Sequence, residues 1–187
     1  QLSDKHKKSK HLPSALLKKG LIYFNTNKPE KSIKTYKELV KSYPRSKEAQ
    51  QAIQNARQVY VELDKVTAYA LWLQSIEHSD FTNTDLDNTM FEAAEIKYLA
   101  RKTPQAIISL NKYLSQFPDG LHSLKAHFYR AQAYFNTKEN TKAGVDYEFV
   151  VAQNPNEHSE KSLSRLAQIY LEENSWSQAI PLLKRLE

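Results

Sequence analysis

The chain has 187 residues, of which 40 % are hydrophobic, 3 are glycine and 7 are proline, and its formal net charge is +6. This composition excludes a disordered chain, and it has too few turn-forming residues for a many-stranded sandwich, so it favours helices. Because the chain has no cysteine, structural disulfides, thiolate metal sites and cysteine nucleophiles are excluded.

The positive charge is concentrated at the beginning of the chain. Residues 1–50 contain 13 Lys and Arg against 4 Asp and Glu, a net charge of +9, which leaves −3 for the remainder. We interpret residues 1–12 as a flexible basic lead-in, because charge runs of this kind usually stay solvated. Nucleic-acid binding through the basic first third is therefore a disfavoured alternative.

Prolines that close amphipathic runs reveal a repeat. Pro44, Pro118 and Pro155 each follow such a run, as a proline just beyond a helix does. Pro118 and Pro155 are 37 residues apart. A small residue precedes each proline by twelve positions, and a large apolar residue precedes it by eight. The small residues are Ser32, Ala106 and Ala143, and the apolar residues are Tyr36, Leu110 and Tyr147.

This spacing predicts ten helices and no strands, arranged as helix-turn-helix units. In chain order the predicted repeats cover residues 13–46, 47–80, 85–120, 121–157 and 158–187. The second is degenerate, with Ala68 and Trp72 at the offsets of its second helix, and the last is truncated, so we expect a fragment of a longer array. Residues 77–88 form a longer polar connection with N-cap candidates Thr84 and Asp85. We expect a bend there within one solenoid, 13–187, and two domains are the alternative.

The repeat resembles the tetratricopeptide repeat, whose unit of about 34 residues has a signature of bulky, small, aromatic and proline positions. The first unit has Leu16, Gly20, Tyr23, Ser32, Tyr36, Leu39 and Pro44 at these positions. The fourth has His127, Arg130, Ala131, Tyr134, Ala143, Tyr147, Val150 and Pro155. Lys19, His127 and Arg130 stand where the family has apolar residues, which puts the inner packing at these sites in question. The resemblance implies an all-α solenoid of about five repeats that forms a right-handed superhelix.

The sequence offers no constellation for catalysis. It contains no HExxH motif, the pair His122 and His127 falls on different helix faces, and three scattered glycines cannot form a phosphate loop. Helical carboxylate pairs such as Glu92 and Glu95 mostly face water. We therefore predict no catalytic residue, no cofactor, no metal and no small-molecule substrate.

The resemblance implies that a protein or peptide partner binds on the concave face, which the first helix of each unit lines. Aromatic and apolar residues recur there at the repeat spacing, with polar residues beside them, although any single aromatic is more often part of the core between repeats. The predicted partner-binding residues are Leu17, Phe24, Asn25, Ile53, Arg57, Tyr60, Phe91, Glu95, Tyr98, Phe128, Gln132, Phe135 and Asn136. Leu17 and Leu21 disfavour the clamp for a terminal carboxylate, although Lys161 and Arg165 fit its later positions.

Other parts of the sequence indicate partners and location. Segments such as YLSQFPDG and ELVKSYPRS are similar to those of tetratricopeptide proteins of the bacterial periplasm and outer membrane, with a cytoplasmic location as the alternative. No apolar run approaches the roughly 20 residues that span a bilayer, so we expect contact with a membrane only through partners.

The predicted function is a non-catalytic scaffold for protein–protein interaction, and the alternative is a docking module of a larger multidomain enzyme. The truncated last unit should leave Leu182, Leu183 and Leu186 partly uncovered, which predicts a homodimer through the terminal repeat.

Overall fold

The computed structural model describes residues 11–76 and 82–186, and in these ranges it has ten α-helices and no strand. The helices are α1 (Leu12–Asn25), α2 (Pro29–Ser42), α3 (Lys47–Glu62), α4 (Val66–Gln74), α5 (Asn83–Leu99), α6 (Thr103–Gln116), α7 (Ser123–Asn136), α8 (Asn140–Ala152), α9 (Ser159–Glu172) and α10 (Trp176–Lys184). The prediction of an all-helical repeat fold is confirmed. The predicted lead-in, apart from its last two residues, lies outside the described ranges, and α1 already begins at Leu12.

The same turn joins the two helices of every pair. A non-glycine residue with positive φ occurs in each turn: Asn27, Asp64, Arg101, Lys138 and Asn174. The residue that follows donates its backbone N–H to a carbonyl five positions earlier, as Lys28 does to Tyr23 at 2.8 Å and Ser175 to Tyr170 at 2.7 Å. This is the Schellman termination of a helix. The five turns therefore define five pairs: α1–α2, α3–α4, α5–α6, α7–α8 and α9–α10.

The chain divides into two compact units, Gln1–Thr82 and Asn83–Glu187, and the division falls in the polar connection noted in the sequence. The described helices of unit 1 are α1 to α4, and those of unit 2 are α5 to α10. One continuous superhelix stays a prediction.

The core of unit 1 lies among α1, α2, α3 and α4. Tyr36 and Leu39 of α2 are fully buried, together with Ala52 and Ala56 of α3. Gly20 of α1 lies so close to Tyr36 that a β-carbon built on it would be 2.2 Å from the ring. The small residue of the signature thus lets two helices approach closely.

Unit 2 has a buried polar corner where α6 leads into α7. The carboxylate of Asp87, which is buried in α5, accepts hydrogen bonds from the Tyr113 hydroxyl at 2.6 Å and from the Leu121 backbone N–H at 2.8 Å. The Tyr113 hydroxyl in turn accepts from the His122 N–H at 3.1 Å. Because every buried polar group here has a partner, the corner fixes the loop between two repeats.

Two details predicted from the sequence were wrong. Thr84 and Asp85 lie inside the first turn of α5, which begins at Asn83, so neither is the N-cap. In α4, Ala68 is exposed, whereas Tyr69 and Leu73 are buried. The cause lies in the preceding helix of each pair. Helix α3 continues six residues beyond the small residue Ala56, whereas α1 continues only five residues beyond the equivalent Gly20. The extra residue moves the buried positions of α4 by one.

Candidate functional site

In unit 1, most of the predicted partner-binding residues belong to the core. Leu17, Phe24 and Ile53 are partly buried and pack against the core of the unit. Tyr60 is buried, and its ring centroid lies 5.6 Å from that of Tyr69. Asn25 at the end of α1 is exposed, and Arg57 is half-buried.

In unit 2, α5 and α7 place aromatic rings against one another. The rings of Tyr98 and Tyr129 are stacked with their centroids 4.1 Å apart, and those of Phe91 and Tyr129 are 6.2 Å apart. The ammonium of Lys125 lies 5.4 Å from the Tyr129 centroid and 5.7 Å from the Phe91 centroid. These distances fall within the range of a cation–π interaction.

A carboxylate holds this cation in place. Glu95 of α5 lies 2.8 Å from the Lys125 Nζ and accepts a hydrogen bond of 3.1 Å from the Tyr129 hydroxyl. The hydrogen bond to Glu95 raises the pKa of Lys125 above its ordinary value. Lys125 is therefore charged at neutral pH and already paired.

Two further cations extend from α9 onto the rings of α7. The Lys161 ammonium lies 5.9 Å from the Phe128 centroid, and the Arg165 guanidinium lies 4.6 Å from the Phe135 centroid. Among the described residues, neither cation forms a salt bridge with a carboxylate. Arg165 Nη1 donates a hydrogen bond of 2.8 Å to the neutral Gln168 Oε1, so no carboxylate among the described residues neutralises either positive charge.

We call this surface the aromatic–cation face of unit 2. Its members are Phe91, Glu95, Tyr98, Lys125, Phe128, Tyr129, Gln132, Phe135, Lys161 and Arg165. Phe91 and Phe128 are only 3 % and 7 % exposed, so they support the face from below. The Gln132 Nε2 is buried and has no acceptor within the described part of the chain. Asn136, the last residue of α7, is exposed.

Sequence reasoning missed Lys125, Tyr129 and the role of Lys161 at this face. The signal that would have found them is the repeat spacing. Lys125 and Lys161 are 36 residues apart, as are Tyr129 and Arg165 and the small residues Ala131 and Ala167.

His158, which precedes α9, stacks on Phe128 at the edge of the face, with ring centroids 4.2 Å apart. Burial lowers the pKa of His158 below its ordinary value of 6.5 and outweighs the opposite effect of the neighbouring Glu157 carboxylate, while nearby Lys125 adds to the lowering. Protonation therefore favours the unfolded state, so this contribution to stability is present above pH 6.5 and is lost as the pH falls through the folded-state pKa.

We expect the urea midpoint of unit 2 to be lower at pH 5.5 than at pH 7.5, and the His158→Gln variant to show a smaller difference. Denaturation curves followed by circular dichroism at the two pH values check this. An equal pH dependence in the variant would contradict it.

The departures from the family signature in the fourth pair are explained by a buried carboxylate. Asp146 of α8 is 1 % exposed and accepts hydrogen bonds from Arg130 Nε at 2.7 Å and Nη2 at 2.6 Å, while His127 Nδ1 lies 2.7 Å away. Burial by itself would raise the pKa of Asp146, but the hydrogen bonds from Arg130 and His127 outweigh it and hold the pKa below its ordinary value. This cluster holds α7 to α8.

Other kinds of site are not evident in the described ranges. Within them, no group of three or more His, Asp or Glu side chains is placed to hold a metal ion. None of the described helices is long and apolar enough to cross a bilayer.

Comparisons with known proteins agree with this architecture. The family model for the tetratricopeptide repeat matches residues 14–46 and 88–120, which correspond to the first and third helix pairs. The chain therefore contains at least two tetratricopeptide repeats, and its other described helix pairs have the same helix-turn-helix form. No curated protein matches the chain.

Several solved structures are similar at low sequence identity. A crystal structure of MamA is 14 % identical and covers 89 % of this chain and 91 % of its own, with a TM-score of 0.46. YrrB, described as a tetratricopeptide protein with an unusual peptide-binding site, is 13 % identical. The match covers 98 % of this chain and 89 % of YrrB, with a TM-score of 0.46. PilF of Pseudomonas aeruginosa is 14 % identical. The match covers 93 % of this chain and 74 % of PilF, with a TM-score of 0.45.

Tetratricopeptide repeats are in general interaction modules that bind protein or peptide partners and do not catalyse reactions. The general prediction of a scaffold for protein–protein interaction is confirmed to this extent.

Proposed function

We propose that the chain is a scaffold that binds a peptide segment of a partner protein on the aromatic–cation face of unit 2. The observation that carries the proposal is the pair of cations Lys161 and Arg165, which lie on aromatic rings and have no carboxylate partner among the described residues. A peptide that presents an acidic side chain next to an apolar one matches this arrangement.

The chemistry of the face supports an apolar and acidic ligand. Exposed parts of Tyr98, Tyr129 and Phe135 offer rigid contact area at a low entropic cost. A carboxylate placed between Lys161 and Arg165 forms charge-assisted hydrogen bonds, which are about twice as strong as neutral ones.

The test uses peptides selected from a random display library against the 187-residue chain. We expect selected peptides to combine an acidic and an apolar residue, and Lys161→Glu to weaken their binding at least about tenfold, since tenfold corresponds to about 1.4 kcal/mol. The matched control is Lys112→Glu, the same charge change at an exposed site on α6. Calorimetric titration gives both affinities.

Selection of basic peptides, or equal weakening by the control substitution, would contradict the proposed face. Retained binding in Lys161→Glu together with retained binding in Arg165→Glu would show that the peptide lies elsewhere.

We further propose a location in the bacterial periplasm or cell envelope, with membrane contact only through partners, on the resemblance of the repeat endings alone. Fractionation of cells that carry the full-length protein tests it, and recovery in the cytoplasmic fraction would contradict it. A homodimer through the last helix pair is a separate proposal, and a single-chain mass at every concentration in analytical ultracentrifugation would contradict it.

A further inference from the structure

The contact between α5 and α7 recurs one repeat later between α7 and α9. Lys125 of α7 lies 5.7 Å from the centroid of Phe91 on α5, and Lys161 of α9 lies 5.9 Å from the centroid of Phe128 on α7. Each phenylalanine ring also carries a stacked histidine, with centroids 4.4 and 4.2 Å apart; the histidines are His122 and His158. The two contacts can therefore be compared position by position.

A second pair of contacts confirms the correspondence and shows one change of charge. Tyr129 of α7 stacks on Tyr98 of α5, with centroids 4.1 Å apart. The equivalent residue of α9 is Arg165, whose guanidinium lies 4.6 Å from the centroid of Phe135 on α7. A neutral phenol in the first contact is thus replaced by a permanently charged group in the second.

The two contacts also differ in their carboxylate. In the first, Glu95 of α5 lies 2.8 Å from the Lys125 Nζ and accepts a hydrogen bond of 3.1 Å from the Tyr129 hydroxyl. The residue 37 positions later, the same spacing as between the two phenylalanines, is the neutral Gln132. Helix α7 therefore presents an amide towards Lys161 where α5 presents a carboxylate towards Lys125.

The second contact is left with an excess of positive charge. Lys161 and Arg165 are both cations, and no carboxylate among the described residues pairs with either. Arg165 uses Nη1 for Gln168 at 2.8 Å, but a guanidinium has five N–H donors. In the first contact the carboxylate comes from the preceding helix pair, so the equivalent place for Lys161 lies on α7 and does not involve any residue after α10.

Granting the peptide-binding face proposed above, we propose that Gln132 makes the site selective for an acidic ligand, and that a carboxylate of the bound peptide takes the place that Glu95 occupies one repeat earlier. There it accepts hydrogen bonds from the Lys161 ammonium and the Arg165 guanidinium, which are charge-assisted. A carboxylate supplied by position 132 itself would occupy this place and repel that of the ligand.

Calorimetric titration of the 187-residue chain with an acidic peptide selected by display tests the role of Gln132. Gln132→Glu should weaken binding at least about tenfold. Gln132→Met, which is neutral and of similar size, should change the affinity by less than about threefold. The matched control is Gln105→Glu, the same change at an exposed glutamine of α6, which should leave the affinity unchanged.

Retained binding in Gln132→Glu, or equal weakening by Gln132→Met, would overturn the role of Gln132 and leave the peptide-binding face standing. A parent chain that selects no acidic peptide would instead contradict the proposed function and the role of Gln132 together. Circular dichroism confirms that each variant is folded.

A measurement without peptide tests the position of residue 132 against the two cations. In Gln132→Glu, titration by nuclear magnetic resonance should give the introduced carboxyl a pKa below the ordinary value of about 4.3, because Lys161 and Arg165 favour its charged form. Adding Lys161→Ala should raise this pKa again. An introduced carboxyl with a pKa at or above about 4.3, or one that does not respond to Lys161→Ala, would overturn the proposal.

Discussion

Replacing Asp146 with alanine is expected to lower the free energy of unfolding of unit 2 by about 3–5 kcal/mol, the usual cost of removing one partner of a buried ion pair. The carboxylate is 1 % exposed and receives two hydrogen bonds from Arg130, with His127 2.7 Å away. Without it, the guanidinium stays largely buried with its charge unpaired. Chemical denaturation at neutral pH, followed by circular dichroism, measures the change.

The fifth pair of the chain provides the matched control. His127, Arg130 and Asp146 correspond, 36 residues later, to Leu163, Leu166 and Leu182. Leu163 and Leu166 are buried, and Leu182 packs against the same core. The fifth helix pair therefore packs with apolar residues at the same three positions. Buried ion pairs can often be replaced by apolar residues without loss of stability.

We expect the triple variant His127→Leu, Arg130→Leu, Asp146→Leu to keep its stability. Its free energy of unfolding should lie no more than about 1 kcal/mol below that of the parent protein. A loss below about 1 kcal/mol for Asp146→Ala, or a triple variant as unstable as the single one, would show that the cluster is not what holds α7 to α8.

The second large effect is expected from Gly20→Ala in unit 1. A β-carbon at this position would lie 2.2, 2.7 and 2.8 Å from three atoms of the Tyr36 ring. Because Tyr36 is fully buried, it cannot swing aside, so α1 and α2 must separate. We expect a loss of about 3 kcal/mol or more, at the upper end of the range for overpacking.

Gly144→Ala is the control for this substitution, because Gly144 is also a buried helical glycine. Its nearest neighbour would be 3.9 Å from the new β-carbon, an ordinary contact. The helix propensity of alanine should then stabilise the protein by up to about 1 kcal/mol. Thermal and urea unfolding of both variants measure the two changes in the free energy of unfolding. Equal changes would mean that the close approach of Gly20 to Tyr36 does not affect stability.

The repeat pattern was visible in the sequence because the same packing problem is solved five times. The spacing of small and aromatic residues indicated which helices approach each other, and this was enough to predict the fold. The small residues are Gly20, Ala131 and Ala167, and the aromatic residues are Tyr36 and Tyr147. The positive φ within the turns could not be predicted from glycine, since Arg101 and Lys138 adopt the backbone conformation that glycine usually takes. The buried positions of α4 were predicted one residue too early, because the composition of the sequence does not reveal the extra residue at the end of α3.

The candidate site was less predictable than the fold. The aromatic row on the first helices was recognised, but the sequence alone did not separate the deeply buried Phe91 from the partly exposed Tyr98, seven residues later on the same helix. The partners of His127 and Arg130 could not be predicted either, because Asp146 lies on the other helix of the pair and has no counterpart in the apolar fifth pair. Such pairings depend on side-chain placement across helices, which periodicity does not encode.

Our proposed function places the partner on the aromatic–cation face of unit 2. The most direct measurement is chemical-shift mapping by nuclear magnetic resonance, with the isotope-labelled 187-residue chain titrated with a display-selected peptide. We expect the largest shifts at Tyr98, Tyr129, Gln132, Phe135 and Arg165, and none at Ile108 on α6. Shifts confined to the second helices α6 and α8, or to unit 1, would contradict it.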